Sequence, residues 1–524
     1  MATLILKQMN RKGIVLITSY MVIVVLLILA ATIVQRALSE FNLARRNKIT
    51  TEGLYLAEGA IEEAAYTLAY NVANYLPVPD TFTDTVSLSS DFNLSYSWTA
   101  LDVDHTVADS LGIITIIRHY QIIAVATDIN YGISSIVNQI VARKKTYTFQ
   151  HAVFYNYDLE MLPGPDMTLS GKVHSNEDIY IGTHNTFTID SEYLYSAGNI
   201  YNGRKDSALS MDGGVSIKKS GTSDYYFMKE AGDIDPLDSD RSDWTDESQN
   251  RWNGTVKSGV HGVTSLAAPE VGSIEPDSYY ADNADLKIVN TNAYDSSGTP
   301  VVLPAGTISE SNFYNQREAT WVTVTNIDMN LLNSSGFFPS NGLLYITRTD
   351  ASSSSPNGAR LNNASELNSD LTVVSNDPVY VQGDYNNTNK KPAAVICDSL
   401  NLLSNNWDDA NSSFNLSSRV ATNTTMNAAF IAGIDETSVG NYNGGLENYP
   451  RLLETWSNKT LSIRGSFVGL WNSQIAQGAW QYGSPQYEAP RRDWDYDTDF
   501  NDSTKLPPFT PFAVETERVA WWKG

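Results

Sequence analysis

The feature that most constrains this chain is an apolar run opened by Arg11-Lys12-Gly13-Ile14. From Gly13 to Gln35 no residue is charged, and nearly every one is aliphatic. At about 1.5 Å per residue, a helix of that length spans a bilayer core of roughly 30 Å. Lys7, Arg11 and Lys12 precede the run, a placement expected to hold the N-terminus in the cytoplasm and everything C-terminal outside. The run needs lipid or other apolar helices around it, so only the residues C-terminal to it can form a compact body.

Three readings compete for this stretch. A secretory signal has an apolar region of about 7–15 residues and a small-residue cleavage site. This run is longer and passes without a polar break into a helical pattern. A plain membrane anchor explains the length but not a Gly placed after two cations. A leader cut after Gly13, leaving Ile14 as the new N-terminus, explains both. Beyond the run, Leu54, Ala57, Ile61, Ala65, Leu68 and Val72 recur at steps of three and four, and Glu63 points away from their face. Pro77 and Pro79 stop the helix, which is expected to run from Ile14 to about Leu76. Strand patterns follow at Phe92–Trp98, Ile113–Ile117, Tyr120–Val125 and Ile133–Val141. They predict an antiparallel sheet of three or four strands against the helix, closed at Arg143-Lys144-Lys145.

Cations, a Gly and about twenty apolar residues at the start of a long helix resemble the N-terminus of a type IV pilin or pseudopilin. Most pilins carry Glu at the fifth mature position, where this chain has Thr18. In this it is similar to minor pilins of the PilX type and to the K-type pseudopilin of type II secretion. Leu56-Ala57-Glu58-Gly59-Ala60-Ile61 also resembles the Ala-Glu-Ala segment of the PilX-type helix. The resemblance covers residues 1 to about 75. It implies processing after Gly13 by prepilin peptidase, N-methylation of Ile14, and residence as a single-pass inner-membrane protein before assembly. It implies other pilins or pseudopilins as partners through the helix, and cell-surface display afterwards. The fifth-position Glu of pilins is thought to neutralise a neighbour's free amine in the apolar filament core, where an unpaired charge is costly. A subunit with Thr18 offers no such partner and suits a filament end or a sparse minor position. Its hydroxyl and that of Ser19 can bond the carbonyl four residues back.

The net charge of −24 becomes −27 when the three cations of Met1–Gly13 are removed. Such a surface repels nucleic acid, which is not an expected partner. The single cysteine, Cys397, allows no intramolecular disulfide and lies in the apolar run Ala393–Cys397, as a buried small hydrophobe would. The sequence contains no GxSxG, Walker, HExxH or CxxC pattern, and its six histidines are scattered, so no enzymatic role is expected.

The large remainder shows internal similarity. Val173-His174-Ser175-Asn176-Glu177-Asp178-Ile179-Tyr180-Ile181-Gly182 is echoed at Leu194, Ser196, Ile200, Tyr201 and Gly203, and again at Val373–Val381. Short β-segments with Gly and Asn corners at this spacing suggest stacked rungs of a parallel β-helix or related solenoid, and a β-sandwich is the competing form. Segments 204–260 and 350–368 read as long excursions, and Gly444–Trp456 as a turn and short helix. The expected fold class is α+β, mostly β. The expected divisions are a leader 1–13, a helix 14–76, an antiparallel head 77–148, a solenoid-like domain 149–440, and an aromatic-rich region 441–524 packing on it.

Several groups are candidate sites. Asp493, Asp495, Asp497, Asp499 and Asp502 place oxygens at short spacing, as Ca²⁺ requires. The competing arrangement turns Trp494, Tyr496 and Phe500 inward and the carboxylates to water. Asp233, Asp235, Asp238, Asp240 and Asp243 form a second acidic run, read as a solvated loop. His174, Glu177 and Asp178 could be ligands or acid–base groups, but their recurrence in a corner motif favours structure. Trp471, Trp480, Tyr482 and Tyr487 could stack on a surface glycan or pack internally. The leading expectation is a structural minor pilin-like subunit of a type IV pilus or type II secretion-like pseudopilus, whose exodomain serves assembly, tip function or adhesion. The alternative is a membrane-anchored carbohydrate-active or carbohydrate-binding β-helix protein.

Overall fold

The computed structural model describes residues 2–524 apart from 110–111, 207–210 and 439, with side chains from Gly13 onward. Helix α1 spans Ala2–Ala73 without a break. Every residue from 13 to 44 is exposed, so the first half stands free as a stem. The second half buries Ala57, Ala60, Ile61, Ala64, Ala65 and Leu68, one stripe at helical spacing. Small side chains there let the helix lie close on the sheet. At Gly53 an added Cβ would sit 3.0 Å from Ser135 Oγ and 3.1 Å from Phe92 Cε1, and the Ser135 hydroxyl donates to the Thr50 carbonyl at 3.0 Å.

The stripe packs on an antiparallel sheet of β1 (Thr81–Val86), β2 (Phe92–Ala100), β4 (Ile114–Asp128) and β5 (Ser134–Tyr147), with β3 (His105–Ala108) against β4. Leu94, Tyr96, Trp98, Ile122 and Ala124 supply the facing core. One strand of this sheet comes from the far end of the sequence. Phe512–Lys523 pairs antiparallel with β5 along its length. The head therefore does not end near residue 148, and the last strand does not belong to the aromatic-rich region. The whole β-rich body is inserted between two neighbouring strands of the head, and its ends meet where Thr148 N–H donates to Pro511 O at 3.0 Å.

The body is a parallel solenoid. Its first rungs have three short strands each, such as Val173–Ser175, Ile179–Ile181 and Thr186–Asp190. Val173 stacks on Val153 and Leu194 on Val173, which confirms the repeat seen in the sequence. Corner carboxylates lock one rung to the next: Asp158 accepts from the Asp178 N–H at 2.9 Å, and Asp178 from the Asn199 N–H at 2.7 Å, 20 and 21 residues on. Val153, Val173 and Leu194 are fully buried, each stabilising the stack by about 1.5–3 kcal/mol.

The rungs are not stacked in chain order. From Val153–Tyr155 they step outward through Val173–Ser175 and Leu194–Ser196 to Val256–Lys257. The chain then crosses to the opposite end, restarts at Leu286–Val289 and steps back through Leu343–Thr347, Leu371–Ser375, Ala393–Cys397 and Thr424–Ala432. It closes with Thr460–Gly469 parallel to Val153–Tyr155, so two half-solenoids share one continuous sheet. The crossing segment braces the head. Ala267 bridges Val514, Glu270 N–H donates to Asn74 Oδ1 at 2.8 Å, and the Tyr75 and Tyr279 rings stack at 3.6 Å.

Three local expectations change. Segment 350–368 is not wholly an excursion, since Gly358–Asn362 is a rung strand between Thr320–Asp328 and Val379–Gln382. Within 204–260, Gly214–Lys218 continues a rung and Trp244–Trp252 is a helix. Gly444–Trp456 carries only one 3-10 turn, Leu446–Asn448, before the two-residue strand Arg451–Leu452.

Candidate assembly stem and exodomain cleft

The stem presents a face of aliphatic residues and nothing ionic between Gly13 and Gln35. Ile14 is exposed at its start, and the Thr18 hydroxyl donates within the helix to Ile14 O and Val15 O, both at 3.0 Å. Thr18 is therefore satisfied inside its own helix and presents no charge to a neighbour. Among the described residues this is the one helix long and apolar enough to cross a membrane. The side chains of Lys7, Arg11 and Lys12 lie outside the described residues. At the stem's base Arg45 donates to the Tyr131 hydroxyl at 3.0 Å and stacks over Phe41, tying helix to sheet.

The five aspartates of 493–502 do not gather around one point. Strand Arg491–Tyr496 and the turn after it bury Trp494, Tyr496 and Phe500. Asp493 bonds Arg464 and Ser462, each at 2.9 Å. Asp497 receives Lys390 at 2.8 and 2.9 Å, and Asp499 is held by Lys390 and Lys505. Asp502 caps the next turn through Thr504, and Asp495 accepts from the Tyr496 N–H. Lys390 and Lys505 hold the Asp499 carboxyl down to about 2. Ammonium groups meet Asp497 and Asp499 of the five, and no cluster of three metal-ligating side chains occurs among the described residues. The other acidic run is likewise tied by arginines: Arg241 and Arg251 reach Asp233, and Arg241 pairs with Asp243.

His174 is buried, with Asn176 at 3.0 Å and the Tyr193 hydroxyl at 3.3 Å on its two ring nitrogens. Burial lowers its pKa to about 4 and that of His151 to about 3, the latter helped by neighbouring His174 and Lys172. Both rings are neutral packing groups. Asp178 is the rung lock described above, and the Glu177 carbonyl accepts from Ser196 at 2.6 Å. Cys397 is fully buried in its strand, where burial pushes the thiol pKa up.

The aromatic group divides. Trp471 is buried and donates to the Cys397 carbonyl at 3.3 Å. Trp480, Tyr482 and Tyr487 line an open cleft of about 1110 Å³, together with Tyr442, Glu447 and Arg492. The last three were not singled out in the sequence, because nothing local shows that the 440s fold against the 480s. Beside the cleft lies a buried ionic knot, equally silent in the sequence. Arg451 pairs with Glu318 at 2.9 Å and with Asp435 at 3.2 Å, and Arg317 also pairs with Asp435.

No protein-family model and no curated protein matches the chain. Among solved structures it is similar to the competence-associated pilin ComZ from Thermus thermophilus. The identity is 9%, covering 91% of this chain and 97% of that chain, with a TM-score of 0.28. At that score most of the two backbones do not superpose, and the functional assignment stands on the geometry of this chain.

Proposed function

We propose that this chain is a structural minor pilin-like subunit, processed after Gly13 and carried by a type IV pilus or a related secretion pseudopilus. The single supporting observation is the division of α1. From Gly13 to Gln35 it is apolar, exposed and free of charge, while its second half is packed into an antiparallel head. The free part of the stem, residues 13–44, is about 48 Å long, enough to cross a bilayer core of roughly 30 Å with about three turns to spare. It leaves lipid only by exchanging it for the apolar stems of other subunits. Arg36, Arg45, Arg46 and Lys48 follow the run, so cations flank it on both sides. The cation bias alone therefore does not fix the orientation, and the large body can be translocated whatever its charge. Without an acid at position 18, the subunit belongs at a filament end or in sparse positions. The PilX-type assignment, methylation of Ile14 and surface adhesion belong to the same proposal, as does the absence of enzymatic chemistry.

The test is the mature N-terminus, read by mass spectrometry from cells with and without prepilin peptidase. Ile14 at the N-terminus only when the peptidase is present supports the proposal. Retention of Met1 in both strains, or a start near Ala37, overturns it.

A further inference from the structure

The head meets the lipid end of the stem along an open groove of about 490 Å³. Ser39, Asn42, Leu43 and Arg46 wall it on α1, and Tyr131 and Ile133 wall it on the β4–β5 hairpin. This hairpin tip is the part of the head nearest the free stem. Ser135 bonds the Thr50 carbonyl and Tyr131 meets Arg45, whereas the far end of β5, at Tyr147, leads into the body. Helix length sets the depth of the groove. Arg45 lies about 46 Å along α1 from Ile14, and a bilayer with its headgroup layers is about 40–45 Å thick. When the stem spans, the groove opens on the headgroup surface opposite Ile14.

This end is cationic in an acidic chain. Arg45, Arg46 and Lys48 carry three charges within four residues, and none has a carboxylate partner among the described residues. Arg45 is fixed, donating to the Tyr131 hydroxyl at 3.0 Å with its guanidinium 4.6 Å from the centre of the Phe41 ring. Arg46 and Lys48 are exposed. Of the nearby acids, Glu40 pairs with Arg36, and Asp128 is 6% exposed, its Oδ1 taken by the Asn130 and Tyr131 N–H groups. Asp91 is exposed at this end, and Glu52 lies about 9 Å farther from the lipid than Arg46. Phe41, Leu43, Ile129 and Tyr131 are each more than half exposed beside the cations. Arginines interleaved with aromatic and aliphatic side chains suit a membrane interface, where one end of each side chain is apolar and the other wet.

We propose that this collar binds the headgroups of anionic phospholipids, with Arg45 and Arg46 on the phosphate and Phe41, Leu43, Ile129 and Tyr131 seated among the headgroups. A guanidinium matches a phosphate through two parallel N–H donors, and Ser39 and Asn42 add neutral donors beside it. A zwitterionic lipid carries the same phosphate next to a cationic amine, which the arginines repel, so the collar selects net negative charge. Continuity with the stem names the occupant, because the anions found at this depth in a spanned bilayer are lipid phosphates. The proposal goes beyond the filament assignment and rests on the stem spanning a bilayer.

The full chain is reconstituted in phosphatidylcholine vesicles and floated after an alkaline wash, which reads insertion of the stem. Spin-labelled phosphatidylglycerol and phosphatidylcholine then report, by electron paramagnetic resonance, the association of each lipid with the protein. A surface cation favours an anionic lipid by about fivefold at low salt, so phosphatidylglycerol associates more tightly by at least that factor. Salt at about 0.5 M erases most of the preference. Arg46→Gln lowers the ratio by about threefold or more, and adding Arg45→Gln lowers it further. Lys229→Gln, exposed on the body, leaves it unchanged. Lys7, Arg11, Lys12 and Arg36 are present in every variant, so their share cancels in the comparison. Arg46 is exposed and holds nothing in the head, so its variant folds even where loss of Arg45 loosens the hairpin. Equal ratios for the parent and Arg46→Gln overturn the proposal, and flotation then leaves the stem assignment standing. A chain that does not float overturns both. If Arg46→Gln lowers cross-linking between copies but not the lipid ratio, the groove belongs to a second copy and the proposal is wrong.

Discussion

Phe512 lies opposite Tyr147 in the antiparallel register of the head sheet, with the two rings 4.6 Å apart. The first residue of the last strand thus pairs with the last residue of β5, and the entire solenoid hangs between them. The head is completed only after the body has been synthesised. The strand also buries Ala513 and Val514 and covers the Arg143-Lys144-Lys145 backbone.

Deleting residues 512–524 removes this strand and bares β5. The loss of Val514 alone costs about 1.5–3 kcal/mol, and the unpaired ladder adds to it. Limited trypsinolysis of the truncated chain is expected to cut at Arg143, Lys144 or Lys145, where the full chain resists. Equal resistance in both chains would show that the strand is an ornament of the head.

Much of this architecture was legible in local patterns. The helix stripe from Ala57 to Leu68 and the Val173–Leu194 repeat are periodicities, and periodicity survives in sequence because packing enforces it at every turn or rung. The inward pair Trp494 and Tyr496 followed from alternation, whereas Phe500 turns inward from the 3-10 turn Thr498–Asn501. What alternation cannot carry is the identity of a parallel partner. Nothing near Phe467 says that it lies beside Val153, and nothing near Phe512 says that it returns to Tyr147. The cleft was missed for the same reason, since Glu447 and Arg492 meet only when the chain closes on itself.

Two buried imidazoles pull stability down on mild acidification, against the opposite pull of Asp377 and Glu454, whose carboxyls burial pushes up to about 7. His151 and His174 have folded pKa values of about 3 and about 4, below the unfolded value of about 6.5. Between these limits the two imidazoles take up protons in the unfolded chain that they refuse in the folded one, so their contribution to stability rises with pH. Their contribution is complete above about pH 6.5 and is lost as pH falls toward 4. His174→Gln should flatten the pH dependence of the denaturation midpoint between pH 6.5 and 4. An unchanged slope in that variant would place the acid sensitivity elsewhere.

Lys390 bridges Asp497 and Asp499 in the position a divalent cation was expected to fill. Adding calcium or a chelator should therefore leave the melting temperature within about 1 °C, the stabilisation a weak surface ion could give. Lys390→Met should instead lower stability by about 1–3 kcal/mol, because Asp497 is largely buried and loses its counter-charge. A calcium-dependent rise in the melting temperature of the unaltered chain would refute the assignment of Lys390 as the resident cation.

The ionic knot beside the cleft makes the sharpest stability prediction. Arg451 and Glu318 are 3% and 5% exposed, and Arg451 also donates to Ser473 at 2.9 Å and bonds Asp435. Glu318 in turn accepts from the Gly478 N–H at 2.7 Å, anchoring the loop that leads to Trp480. Removing one partner strands a buried charge, at a cost of about 3–5 kcal/mol. Arg451→Met should therefore lower the denaturant midpoint strongly. Pairing it with Glu318→Gln should recover part of the loss, since the double variant no longer buries a lone carboxylate. The recovery is read as a coupling energy in a double-mutant cycle. Strict additivity of the two losses would mean that the pair is incidental and that the loop holding Trp480 is anchored by other means.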